Sequence, residues 1–183
     1  MIWQRWEPRL QAYVCSYADD LVILCRGTAE QALAVTRDLM RRLKLELNEE
    51  KTRIVNAREA SFDFLGYTFG PRHYPQSGAW YLGAAPSKAC VRRLREQVHS
   101  YLRCGNQSPI DEVIAHLNRL LIGWSNYFSY GTVSKTYRVI DQYVAGRLRR
   151  FLVRRHKGRT HGTRQFPNVR LNREYGLHSL EGV

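Results

Sequence analysis

No apolar run in this sequence approaches the roughly 20 residues that a helix needs to cross a bilayer, and no secretory segment opens it. Both absences point to a soluble, cytoplasmic protein with no membrane partner. Cysteine is scarce, and Cys15, Cys25, Cys90 and Cys104 include no pair at metal-ligand spacing. The expectation is free, buried thiols in a reducing compartment. His156, His161 and His178 lack companion Cys or carboxylates at zinc spacing, which excludes a zinc module. Acidic residues are the third shortage: 16 Asp+Glu face 29 Lys+Arg, for a net charge of +13 over 183 residues. The shortage is uneven, since residues 1–85 carry 11 basic against 10 acidic side chains and residues 86–183 carry 18 against 6. An excess concentrated in this way calls for a polyanion, and nucleic-acid phosphates fit it best.

Against that background the pair Asp19-Asp20 stands out. It sits in Tyr17-Ala18-Asp19-Asp20, between two runs that read as short strands, Tyr13 to Ser16 and Leu21 to Cys25. A hairpin joined there places two carboxylates at its tip. Two-metal phosphoryl transfer uses such groups, with ions about 4 Å apart activating the attacking oxygen and stabilising the leaving one. Magnesium prefers oxygen ligands of this kind. An ordinary acidic turn, stabilised by its own backbone hydrogen bonds, is the plainer use of the same residues.

Thr28 and Gln31 form a capping-box pattern for a helix through about Lys44, with Ala32, Leu33, Val35, Leu39, Met40 and Leu43 on its apolar face. Its Arg37, Arg41 and Arg42 read as a solvated face. Phe62, Phe64, Tyr67 and Phe69 predict a strand, and Trp80 to Leu82 its return partner across a loop from Gly70 to Gly78. Pro86 and Ser87 mark a boundary beyond which the pattern is helical: one helix ending by Gly105, and a second capped by Ser108 with Pro109 at its first position. A third runs from Ser134 to about Lys157 and buries Tyr137, Ile140, Val144, Leu148 and Phe151. On that helix Arg147, Arg150, Arg154 and Lys157 fall at i, i+3, i+7 and i+10, with Arg149 and Arg155 beside them. Like charges stacked on one stripe repel each other, which favours a bound polyanion. Tyr127 and Tyr130 could stack on unpaired bases. Gly158 to Asn172, basic and poor in apolar residues, reads as a loop.

Four motifs together resemble one family. Tyr17-Ala18-Asp19-Asp20 with its strands is similar to the polymerase motif of group II intron reverse transcriptases, which also act as splicing maturases. Leu45 to Val55 resembles the palm motif that follows, Phe62 to Phe69 the segment that supports the primer end, and Leu117 to Phe128 the maturase signature. Two departures stand beside the match: Ser16 replaces a basic residue, and Lys44 stands where the family usually has Gly. The resemblance implies an α+β protein. Residues 1–85 would be the C-terminal part of a reverse-transcriptase palm, an antiparallel sheet with a helix, and residues 86–183 an all-helical thumb and maturase bundle.

It further implies Asp19 and Asp20 as catalytic, Mg2+-binding residues, and Tyr17, Ala18, Lys51, Leu65 and Gly66 beside nucleotide and primer. The partners implied are group II intron RNA and, once a fingers and first palm half completes the site, an RNA template with a DNA primer. Met1 to Leu10 reads as the end of a preceding helix, so the upstream catalytic Asp is expected to be missing. An RNA-binding splicing module without catalysis, or a remnant without function, are the alternatives.

Overall fold

The computed structural model describes Pro8 and residues 11–74, 76–157 and 162–182. The helix end predicted over Met1 to Leu10 therefore lies outside the described residues except for Pro8, and His161 lies outside them too. Strands occupy the first part of the chain and helices the second, apart from one helix after the first hairpin.

Strands β1 (Ala12–Tyr17) and β2 (Asp20–Cys25) pair antiparallel, with Tyr17 opposite Asp20. Ala18 and Asp19 are left as a two-residue turn. Ala18 has φ +51°, the left-handed conformation that tight hairpin turns demand at their first central position and that a Cβ disfavours. Helix α1 (Ala29–Arg42) covers the hairpin through a small core of Ala32 and Ala12, joined by Ile23, Cys25 and Val35.

The capping box predicted for α1 does not form. Thr28 sits at φ −120°, ψ 25° rather than in extended backbone, and makes no side-chain cap bond to the helix. The other end is better closed. Leu45 N–H reaches Met40 O at 2.9 Å and Lys44 N–H reaches Arg41 O at 3.1 Å, a Schellman motif that needs a left-handed residue at Lys44, whose φ is +56°. The turn thus survives the absence of glycine, at a conformational cost of about 1–2 kcal/mol for an L side chain. Lys44→Gly is expected to relieve part of it and raise stability by about 0.5–1 kcal/mol, read as a higher urea midpoint at unchanged m.

The second sheet corrects the strand predicted through Phe62 to Phe69. Leu65 and Gly66 both have positive φ, +49° and +77°, and make a two-residue turn between β3 (Phe62–Phe64) and β4 (Tyr67–His73). Phe62 pairs with Phe69 across it, their rings stacked at 5.4 Å. β4 pairs in turn with β5 (Trp80–Pro86) from Tyr67 opposite Pro86 to His73 opposite Trp80. The predicted loop is shorter than Gly70 to Gly78 because residues 70–73 pair with Tyr81, Leu82 and their neighbours.

Three long helices follow: α2 (Lys88–Tyr101), α3 (Ile110–Tyr127) and α4 (Ser134–Arg155). Ser87 caps α2, its hydroxyl accepting from Cys90 N–H. That helix stops before Gly105, where the Asn106 amide takes the Tyr101 carbonyl at 3.0 Å. Pro109, rather than Ser108, is the capping position of α3, because Ser108 N–H is held by Asn106 Oδ1 at 2.9 Å. One core joins them, built on Val98, Leu117, Leu121, Ile140 and Leu148, all fully buried.

The loop predicted to run through Asn172 is partly ordered. Helix α5 (Asn168–Arg173) buries Leu171, and Phe166, Leu177 and Leu180 enter the same core. These spaced apolar side chains outweigh the basic composition around them. The Asp141 carboxylate finishes the tail by accepting from Ser179 Oγ and from the N–H groups of Leu180 and Glu181. The thiols are free, but none is buried, and Cys15 and Cys104 are exposed. No helix among the described residues is long and apolar enough to cross a membrane.

Candidate nucleic-acid interface

At the hairpin tip Tyr17, Ala18, Asp19 and Asp20 are all exposed, so the two carboxylates face solvent from a strand end and the turn beside it. Lys51 is exposed as well, in a turn where its N–H is held by Asn48. That stretch is tied to α1 by Arg37, whose guanidinium meets Glu49 at 2.7 Å and holds the carboxyl below its ordinary range by hydrogen bonding. Arg41 and Arg42 both meet Asp38.

Leu65 and Gly66 are brought together with the end of α3. Tyr127 Oη donates to Leu65 O at 2.9 Å, Tyr67 Oη donates to Tyr127 O at 2.8 Å, and Ser87 N–H donates to Gly66 O at 2.8 Å. Burial raises the Tyr67 phenol above its ordinary value, which keeps it a donor. A Cβ at Gly66 would press on Cys90 Sγ and Phe128, so both backbone freedom and space demand glycine there. Gly131, at φ +82°, lets the chain after α3 pass against Ala84, whose carbonyl accepts from Thr132 N–H at 2.7 Å. The Tyr127 hydroxyl is thus committed to this joint, whereas Tyr130 is 77% exposed.

The six cations expected to bind RNA, five at the C-terminal end of α4 and Lys157 just beyond it, divide by partner. Arg149 donates to Phe166 O at 2.8 Å and to Asn168 Oδ1, and Arg155 donates to Ser108 O at 2.6 Å, so each staples a neighbouring segment. Among the described residues Arg150 and Arg154 bond only back to carbonyls of their own helix, apart from an Arg154 contact with Cys104 Sγ at 3.0 Å. Arg147 buries its Nε with no hydrogen-bond partner among the described residues. Lys157 is exposed just beyond the helix end. Among the described residues none of the six forms an ion pair with a carboxylate.

Residues 1–69 match the family described as reverse transcriptase (RNA-dependent DNA polymerase), and residues 91–166 match the group II intron, maturase-specific domain. The chain belongs to the group II intron reverse transcriptase and maturase family. Protein YkfC of Escherichia coli (strain K12) is 42% identical over 69 residues, which make up 36% of this chain and 17% of that protein.

Reverse transcriptases of this family generally use Mg2+, which activates the attacking oxygen and steadies the leaving one. Asp19 and Asp20 have the right donor chemistry for such ions, but no three His, Cys, Asp or Glu side chains converge among the described residues. The donor set fits in kind and falls short in number. Sequence reasoning missed the two tyrosine clasps and the Arg149 and Arg155 staples. Each is a long-range bond to a backbone carbonyl, which has no periodic signature.

Proposed function

We propose that this reverse transcriptase and maturase chain binds group II intron RNA through its helical part and assists splicing by binding rather than by bond-making. Residues 1–85 serve as the later part of a polymerase palm and residues 86–183 as thumb and maturase helices. Asp19 and Asp20 would hold Mg2+ in a site that needs further carboxylates, and Tyr17, Ala18, Lys51, Leu65 and Gly66 would lie along nucleotide and primer. The observation that supports RNA binding most is the face of α4, where Arg147, Arg150 and Arg154 share one stripe, with Lys157 just past the helix end at φ +53° rather than continuing it, and none of the four has a carboxylate partner among the described residues.

Changing those four together to Ala, while sparing the stapling Arg149 and Arg155, is the test. Each lost phosphate contact should flatten the plot of log affinity against log salt by about 0.7 for a single strand and about 0.9 for a duplex. A loss of two to four such units with the helical circular dichroism retained is expected; an unchanged slope would move the RNA to another surface.

A further inference from the structure

The arginines of α2 belong to no predicted stripe, and the structure gives them a place. Helices α2 and α4 run side by side in the same direction. Tyr143 Oη donates to Arg95 O at 3.2 Å mid-way along both, and Arg154, near the end of α4, meets Cys104 just past the end of α2 at 3.0 Å. On α2, Arg92, Arg95 and His99 fall at i, i+3 and i+7, and Arg103 follows two residues beyond the helix end. On α4, Tyr143, Arg147, Arg150 and Arg154 fall at i, i+4, i+7 and i+11. Both spacings keep one helix face, so a column about 10 Å long on α2 and one about 16 Å long on α4, at 1.5 Å per residue, flank one seam.

The seam is also concave. Arg92, Arg95, Glu96, His99, Arg103 and Tyr143 line a notch of about 380 Å³ at its upper end. Glu96 is its one carboxylate and lies 3.7 Å from Arg92, and among the described residues Arg95 and Arg103 form no ion pair. Arg147 follows one turn on from Tyr143 along α4. The Arg95 guanidinium lies over the Tyr143 ring at 4.3 Å while Arg95 itself stays exposed, so its outer face is open to a further planar group.

We propose that the seam between α2 and α4 is a track for one unpaired nucleic-acid strand, with the backbone laid between the two arginine columns and one base stacked on the Arg95 and Tyr143 pair. Packed helices have axes about 8–10 Å apart, so one sugar-phosphate backbone lying in the groove above their contact would be within reach of side chains from both. Unpaired bases can splay out onto aromatic and guanidinium planes, whereas a duplex keeps its bases stacked on each other. Phosphates entering the seam would neutralise the mutual repulsion of the two columns.

The inference rests on the reading that α4 binds RNA, and the variants separate the two. Arg92, Arg95 and Arg103 are changed together to Gln in the full chain, and binding is followed by anisotropy with a 12-nucleotide oligouridylate and with a blunt RNA duplex of equal length. The expected result is a loss of at least about tenfold for the single strand, a salt slope lower by about two units, and duplex affinity within about twofold of the parent. A single-stranded probe carrying 2-aminopurine should be quenched on binding the parent and less so on binding Arg95→Gln. If the α2 variant binds the oligouridylate as the parent does while the α4 variant does not, the track is wrong and the α4 reading stands. If neither variant loses affinity, the RNA-binding reading fails as a whole. Equal losses for strand and duplex would overturn the preference for an unpaired strand. A single-stranded DNA of the same length tells whether the 2′-hydroxyl adds to the backbone contact.

Discussion

Mixed with a separate polypeptide that carries related fingers and a first palm segment, the chain is expected to extend a DNA primer on an RNA template in a Mg2+-dependent reaction; by itself it is expected not to. The reason is the donor count. Asp19 and Asp20 lie together at the hairpin tip, but no third acidic, His or Cys side chain joins them among the described residues. Two-metal chemistry needs carboxylates from more than one segment. In the completed complex Asp19→Asn should abolish synthesis, since it removes a metal-binding charge while nearly preserving shape. Asp19 is exposed in a turn and distant in sequence from the basic helices, so RNA affinity should stay within about twofold of the parent. Extension by the isolated chain above the Asp19→Asn background would disprove the first half. A fall in RNA binding as large as the fall in synthesis would show that the acidic pair is a structural turn.

The second large effect concerns stability. Leu148 is fully buried on α4, between Arg147 and Arg150 in sequence and against the shared helical core. Leu148→Ala should cost about 2–5 kcal/mol, the range for a buried leucine whose surroundings close only partly over the space left behind. That is a large share of a typical total of about 5–15 kcal/mol. Urea unfolding should show the midpoint fall. Under conditions where the variant stays folded, its RNA salt slope should equal the parent's, because no cation has been removed. A changed slope at full folding would mean that α4 positions the arginines through finer packing than the core as a whole provides.

The sequence shows what is periodic. The inward positions of α4, Tyr137, Ile140, Val144, Leu148 and Phe151, repeat at helical spacing and are all buried. The hairpin around Tyr17 to Asp20 is legible from two apolar runs and a short gap. What escaped depends on single backbone positions or distant partners. The Leu65-Gly66 turn hides within an aromatic run because Leu gives no sign of a positive φ. Gly158 to Asn172 reads as basic loop because Phe166 and Leu171 are too widely spaced to form a pattern until they meet the core. The α2 arginines form no pattern of their own until α4 is seen to run beside them. The assignments of Asp19 and Asp20 to metal, and of the α4 cations to RNA, came from motif and charge; the structure adds their neighbours and exposure.

The clasp between the Leu65-Gly66 turn and the end of α3 has a mechanical consequence. Its two tyrosine hydroxyls act as tie-rods pointing in opposite senses, one from the sheet to the helix and one from the helix to the turn. Pulling the sheet and helix apart strains both, while cutting one leaves the other under tension. The second sheet should therefore swing with the helices as a single lever. Compliance falls instead on residues 43–61, which contain turns but no helix or strand and connect that lever to the acidic hairpin.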